Sequence, residues 1–187
     1  MKKLNKRSLA AAIMFFGMHV SANEFVASTQ TPETVPCATS KGQLKFKENH
    51  PSYKFYDKNL SAVNVLRCEK IKLNGQKFYS VYFSAEVSSA SGKLKALIYE
   101  VAVQEKLSGA LKTVRSEIID QYELSADSVN DKFEYALKAD WGTEKKNSAT
   151  VLRINIFKAG EASTPYHLRL NKKQNWFENA FDLDSKK

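Results

Sequence analysis

Val63-Asn-Val-Leu-Arg-Cys-Glu-Lys-Ile-Lys-Leu73 runs into Asn74-Gly75, and Gln76-Lys-Phe-Tyr-Ser-Val-Tyr-Phe-Ser-Ala-Glu-Val87 follows directly. Two runs rich in β-branched and aromatic residues joined by Asn-Gly specify a hairpin, because both central residues of a type I′ turn need positive φ. A Ser/Gly turn then leads into Lys93-Leu-Lys-Ala-Leu-Ile-Tyr-Glu-Val-Ala-Val-Gln104, so the sheet grows hairpin by hairpin. In the second run Tyr79, Val81, Phe83, Ala85 and Val87 share one face, while Ser80, Ser84 and Glu86 share the other. That period of two belongs to a half-buried strand. The third run is apolar on both faces, with Leu97, Tyr99, Val101 and Val103 opposing Leu94, Ile98 and Ala102. Such a strand is expected at the centre of a sheet with something packed on either side.

The same alternation recurs outward from this stretch. Gln43 to Lys47 suggests a short first strand. Phe133, Tyr135, Leu137, Ala139 and Trp141 alternate with charged and polar neighbours, as do Leu152, Ile154 and Ile156, and then Tyr166, Leu168 and Leu170. Leu111–Glu123 fits a helical stripe and a strand face equally well; the Ser108-Gly109 turn before it favours a strand. After Asn171 the pattern changes. Trp176, Phe177, Ala180 and Phe181 cluster at helix-compatible spacing and predict a short C-terminal helical turn against the sheet. The expected fold is all-β: an antiparallel meander of about seven or eight strands, closing as a small barrel or folding over as a two-sheet sandwich. Strands dense in Lys and Glu, without aromatic girdles, argue against an outer-membrane barrel.

The chain of 187 residues, 43% of them apolar and 11% aromatic, suffices for one ordinary domain with its own core. Residues 1–22 have the form of a signal peptide. Lys2, Lys3, Lys6 and Arg7 precede a largely apolar run from Leu9 to Val20, and Val20-Ser21-Ala22 offers a cleavage site after Ala22. The run is shorter than the ~20 residues that span a bilayer, which predicts export without a membrane span. Residues 23–42, interrupted by Pro32 and Pro36, are expected to form an extended leader, and 43–187 a single β-rich domain. Without its first 22 residues the formal charge falls from +9 to +5, because four basic and no acidic residues leave. A modest positive charge suits contact with anionic polymers or acidic partners, and export disfavours nucleic acid.

Cys37 and Cys68 are the only cysteines. In an oxidising compartment an isolated pair is expected to form a structural disulfide, tying the leader to the first long strand. No Cys-x-x-Cys spacing supports redox chemistry.

Catalytic signatures are sparse. Once His19 leaves with the signal peptide, His50 and His167 remain, and no Gly-x-Ser-x-Gly elbow accompanies them. Asp127, Asn130 and Asp131 faintly suggest calcium, but their spacing is not that of an EF-hand loop. With both cysteines committed to each other, no metal or cofactor is expected. Glu86 and Glu100 lie on neighbouring strands among small or apolar residues, where a carboxylate can acquire a raised pKa and a role in a site. Tyr79, Tyr82, Tyr99, Phe78, Phe83, Tyr135 and Trp141 could line a ligand cavity, although aromatic residues at period two are also how a sheet fills its core. Trp176, Phe177 and Phe181 are candidates for partner contact.

The expectation is therefore a periplasmic or secreted, non-catalytic binding module that contacts a protein or an anionic envelope polymer. A carrier of a small apolar ligand in a barrel cavity is the alternative, and a hydrolase built on a carboxylate pair comes third.

Overall fold

The structure is a computed structural model and describes residues 24–40, 43–46, 53–89, 92–124, 133, 135–158, 161–162 and 165–181. Residues 1–22, expected to be a signal peptide, together with His50 and residues 127–131, lie outside the described residues. Among those described, thirteen strands form antiparallel sheets in a sandwich-like arrangement that does not close into a barrel. Of the two closures expected from the sequence, the sandwich is the one formed.

The chain begins with three short strands, β1 (Phe25–Ala27), β2 (Glu33–Thr34) and β3 (Cys37–Ser40), followed by β4 (Gln43–Phe46). The long strands β5 (Leu60–Leu73), β6 (Gln76–Ser89), β7 (Gly92–Gln104) and β8 (Leu111–Glu123) make a meander, so the ambiguous 111–123 segment is a strand. With β2 on its edge, this sheet has the order β2-β5-β6-β7-β8. The second sheet contains β9 (Tyr135–Glu144), β10 (Thr150–Lys158), β12 (Tyr166–Asn171) and β13 (Trp176–Asn179). Its order is β1-β9-β10-β12-β13, with β11 (Glu161–Ala162) added to the end of β10.

The Asn-Gly hairpin forms as expected, with φ of 50° at Asn74 and 73° at Gly75. The Asn74 side-chain amide donates to the Ser148 carbonyl oxygen at 3.0 Å, joining the turns at one end of the two sheets. Between the sheets lies the larger core, in which Phe78, Tyr99, Val101 and Val114 meet Leu137, Trp141, Leu152, Ile154, Leu168 and Phe177. The rings of Phe78, Trp141 and Phe177 contact one another at centroid distances of 5.2 to 6.0 Å, so aromatic side chains fill the centre of the sandwich.

The helical turn expected near the C-terminus is not confirmed: Trp176–Asn179 is strand β13, and a helical assignment is reached only at Phe181, the last described residue. Pairing decides the conformation. Leu170 lies opposite Phe177 and Asn171 opposite Trp176, which places Phe177 in the core and lets the backbone complete the edge of the second sheet. Spacing alone cannot separate these outcomes in a segment so short.

The first sheet is covered on its other face as well. Tyr79, Val81, Phe83, Ala85, Ala96, Ile98 and Ala102 pack beneath the β3–β4 hairpin and residues 53–55, forming a second core with Leu44, Phe46, Tyr53 and Phe55. This explains why β7 is apolar on both sides. The Cys37–Cys68 disulfide anchors the covering hairpin to β5.

Residues 24–36 join the two sheets. β1 pairs with β9, β2 with β5, and the connection between them crosses from one sheet to the other. Phe25 reaches over the outer face of the second sheet, packing against Val151, Ala180 and His167. This crossing passes directly over Gly142. A Cβ there would lie 2.6 Å from the Phe25 ring and closer still to the Val26 carbonyl oxygen, so glycine permits the close approach.

The disulfide spans a sequence separation of 31. Loop-closure entropy for a loop of that size predicts that Cys37→Ser combined with Cys68→Ser lowers unfolding stability by about 3–4 kcal/mol. Urea titration of the oxidised wild type against the double variant measures this, and coincident curves would contradict it.

Candidate functional site

The covering segment is held to the first sheet by a buried carboxylate. Glu100 projects from β7 onto the covered face and is only 1% exposed. Its neighbours across the sheet are Val81 on β6 and Ser116 on β8. Three donors converge on it. The Tyr53 hydroxyl donates to Oε2, the Ser116 hydroxyl donates to Oε1 at 3.0 Å, and the Tyr56 backbone N–H is 3.1 Å from Oε1. Since a phenol has one proton, the Thr113 hydroxyl is the donor in its 2.9 Å contact with Tyr53. Reciprocal backbone hydrogen bonds between Leu44 and Tyr53 tie this cluster to β4.

Neutral donors alone surround Glu100 in the described hydrogen-bond set. Burial pushes its carboxyl above the usual carboxylate range, opposed by hydrogen bonds from Tyr53, Ser116 and Tyr56, with the Asp57 charge adding to the rise. Burial likewise raises the Tyr53 phenol well above its ordinary value, and the adjacent Glu100 charge adds to this. The other buried glutamate, Glu144, is placed differently. Arg169 reaches both of its carboxylate oxygens, at 2.8 and 3.0 Å. Glu100 fastens the cover, and Tyr53, itself fully buried, closes it over.

The two glutamates singled out in the sequence are not brought together. Glu86 is opposite Lys95 and Glu100 opposite Val81, so they project from opposite faces of one sheet. Five residues of β6 separate their levels, roughly 16 Å at ~3.3 Å per residue. Glu86 is partly exposed and lies 3.8 Å from the Lys93 ammonium. Of the aromatic candidates, Phe177 is fully buried in the core, Phe181 is exposed, and half-buried Trp176 packs on exposed Tyr56 at 5.5 Å. His167 is buried beside Phe25. Among the described residues no group of three or more His, Cys, Asp or Glu side chains is placed to hold a metal ion.

An open cleft of about 550 Å³ lies near the Asn74-Gly75 turn, between the 29–33 crossing and the β5–β6 hairpin. Proline creates it. Pro32 cannot donate to the ladder, so the pairing with β5 begins at Glu33 and runs through Thr34 to Val35, whose N–H donates to the Cys68 carbonyl oxygen at 2.9 Å, while the chain before Pro32 stays off the ladder. Lys70, Lys72 and Lys77 line one side, Thr29, Gln30 and Thr31 the other, with buried Tyr79 beneath. The lysines share the covered face of the first sheet, because Lys70 is opposite Tyr79 and Lys72 opposite Lys77. Of these cleft residues only Tyr79 is singled out from the sequence, as a possible cavity-lining aromatic, and none of the lysines is. Lys72 and Lys77 could have been, since they stand symmetrically about the Asn-Gly turn and a two-residue loop must place them face to face.

Fold and site together define a disulfide-tied, two-sheet antiparallel β-protein with a covered outer face and a lysine-lined cleft at one end. Compared with known proteins, the chain matches no family model, and no curated protein or solved structure shows significant similarity to it.

The Glu100 environment has a pH consequence. A carboxyl whose folded pKa is raised gives stabilisation that is complete below its ordinary value of about 4.3 and is lost as pH rises through the raised one. Urea unfolding across this range is expected to show wild-type stability declining relative to Glu100→Gln as pH increases. A pH-independent difference between the two proteins would contradict the assignment.

Proposed function

We propose that the chain is an exported, non-catalytic binding module that contacts an anionic polymer or a protein of the cell envelope. The observation that carries this reading is the cleft beside the Asn74-Gly75 turn, an open recess with three lysines on one wall and polar side chains on the other. Its size falls within the range of small-ligand sites, and its lysines complement negative charge. The intramolecular disulfide is compatible with an extracellular or periplasmic location. Among the described residues no helix is long and apolar enough to cross a membrane. The Glu100 cluster supports a non-catalytic reading from another direction, since its hydrogen-bonding groups hold the cover in place beneath buried Tyr53.

The apolar-carrier alternative has less support. It requires a barrel cavity, whereas the two sheets form a sandwich whose centre is packed with Phe78, Trp141 and Phe177.

Native mass spectrometry of the mature protein, purified gently from its own envelope, tests the proposal. The expected spectrum contains a stoichiometric complex with an anionic component or a protein. A discrete apolar adduct would favour the carrier, and a bare monomer at all concentrations would contradict tight binding of either kind.

A further inference from the structure

We infer that the cleft is a binding site for a phosphorylated saccharide, with Lys70, Lys72 and Lys77 taking the phosphate groups and the 29–31 segment facing the sugar. This rests on the binding-module reading and adds the site and ligand class. The first support is the charge arrangement. Lys72 and Lys77 are directly opposite one another across the hairpin, and their Cβ atoms are therefore about 5 Å apart. Like charges so placed oppose hairpin formation, and neither ammonium has an ion pair among the described residues. Lys70 is two residues from Lys72 along β5 and projects from the same face, while its ammonium lies 3.4 Å from exposed Glu33. Three ammonium groups thus bound one recess against the single carboxylate of Glu33, which also lines it, leaving an excess of positive charge for phosphate.

The second support is the opposite wall. Thr29, Gln30 and Thr31 offer hydroxyl and amide groups of the kind that pair with sugar hydroxyls. They remain available because Pro32 ends the pairing with β5 and keeps this stretch from zipping onto the lysine-bearing strand. A volume of about 550 Å³ has room for a sugar carrying phosphates.

Isothermal titration of the mature protein with glucose 1,6-bisphosphate, glucose and inorganic pyrophosphate tests the inference. Glucose 1,6-bisphosphate should bind more tightly than pyrophosphate, glucose should not bind detectably, and added salt should weaken the interaction. K72E is the decisive variant. Replacing one of two facing lysines by an acid turns repulsion into attraction, so Tm should rise by about 2–4 °C. The same change should weaken glucose 1,6-bisphosphate binding about tenfold or more. K72Q removes the charge without adding a new pair and should weaken binding without that gain in Tm.

K72E that gains stability but binds unchanged would overturn the site, leaving the lysines as a solvated face. Pyrophosphate binding as tightly as the sugar bisphosphate would overturn the saccharide assignment. If wild type binds none of the three probes, the inference fails. A protein partner found by native mass spectrometry would still leave the binding-module reading standing.

Discussion

A sheet of long strands that is apolar on both faces must be covered twice, and the rest of the molecule follows from that requirement. One face of the β5–β8 meander is buried by the second sheet. The other is buried by a small cover made from the β3–β4 hairpin and residues 53–55. A cover this short has too little area to stay in place through hydrophobic contact alone. It is held by two ties of different kinds: a covalent one from Cys37 to Cys68, and a polar one in which Glu100 collects the Tyr53, Tyr56 and Ser116 donors. The disulfide restricts the unfolded chain, whereas the carboxylate gives a buried tyrosine hydroxyl and a backbone N–H acceptors they would otherwise lack.

The cleft is a by-product of the same construction. To reach the cover from β1, the chain must cross from one sheet to the other, and residues 28–36 make that crossing. Pro32 ends the pairing of residues 33–35 with β5 on its N-terminal side, so the earlier part of the crossing stays off the ladder and leaves a recess above the lysines. The covalent anchor at Cys37 and the open wall of the cleft thus belong to one segment, a few residues apart.

Much of this was legible in the sequence. Asn74-Gly75 requires a type I′ turn, period two separates the faces of β6 and β9, and the two-faced apolar character of β7 announces that both sides of its sheet are covered. The lone cysteine pair points to its own bond. Glu100 was recognisable as a carboxylate on an apolar face, but its partners were not, because Tyr53 lies 47 residues away in sequence and reaches it only through the folded cover. Aromatic spacing over six residues fits a helix as readily as an edge strand, and pairing with β12 makes Trp176–Asn179 a strand. The short strands β1, β2, β3, β11 and β13 carry too few residues for a decisive periodic signal, so the sequence predicts about seven or eight strands where the described residues form thirteen. The cleft escaped notice because it depends on what fails to pair beside Pro32.

The cover is a separately fastened element whose polar tie is Glu100. Amide hydrogen exchange on wild type and Glu100→Ala tests this directly. Protection should fall at Leu44, Tyr53 and Tyr56, whose amides are bonded within the cover or to Glu100, while the β9–β10–β12 ladder keeps its exchange rates. Uniform loss of protection across both sheets, or no change at those three amides, would contradict the account.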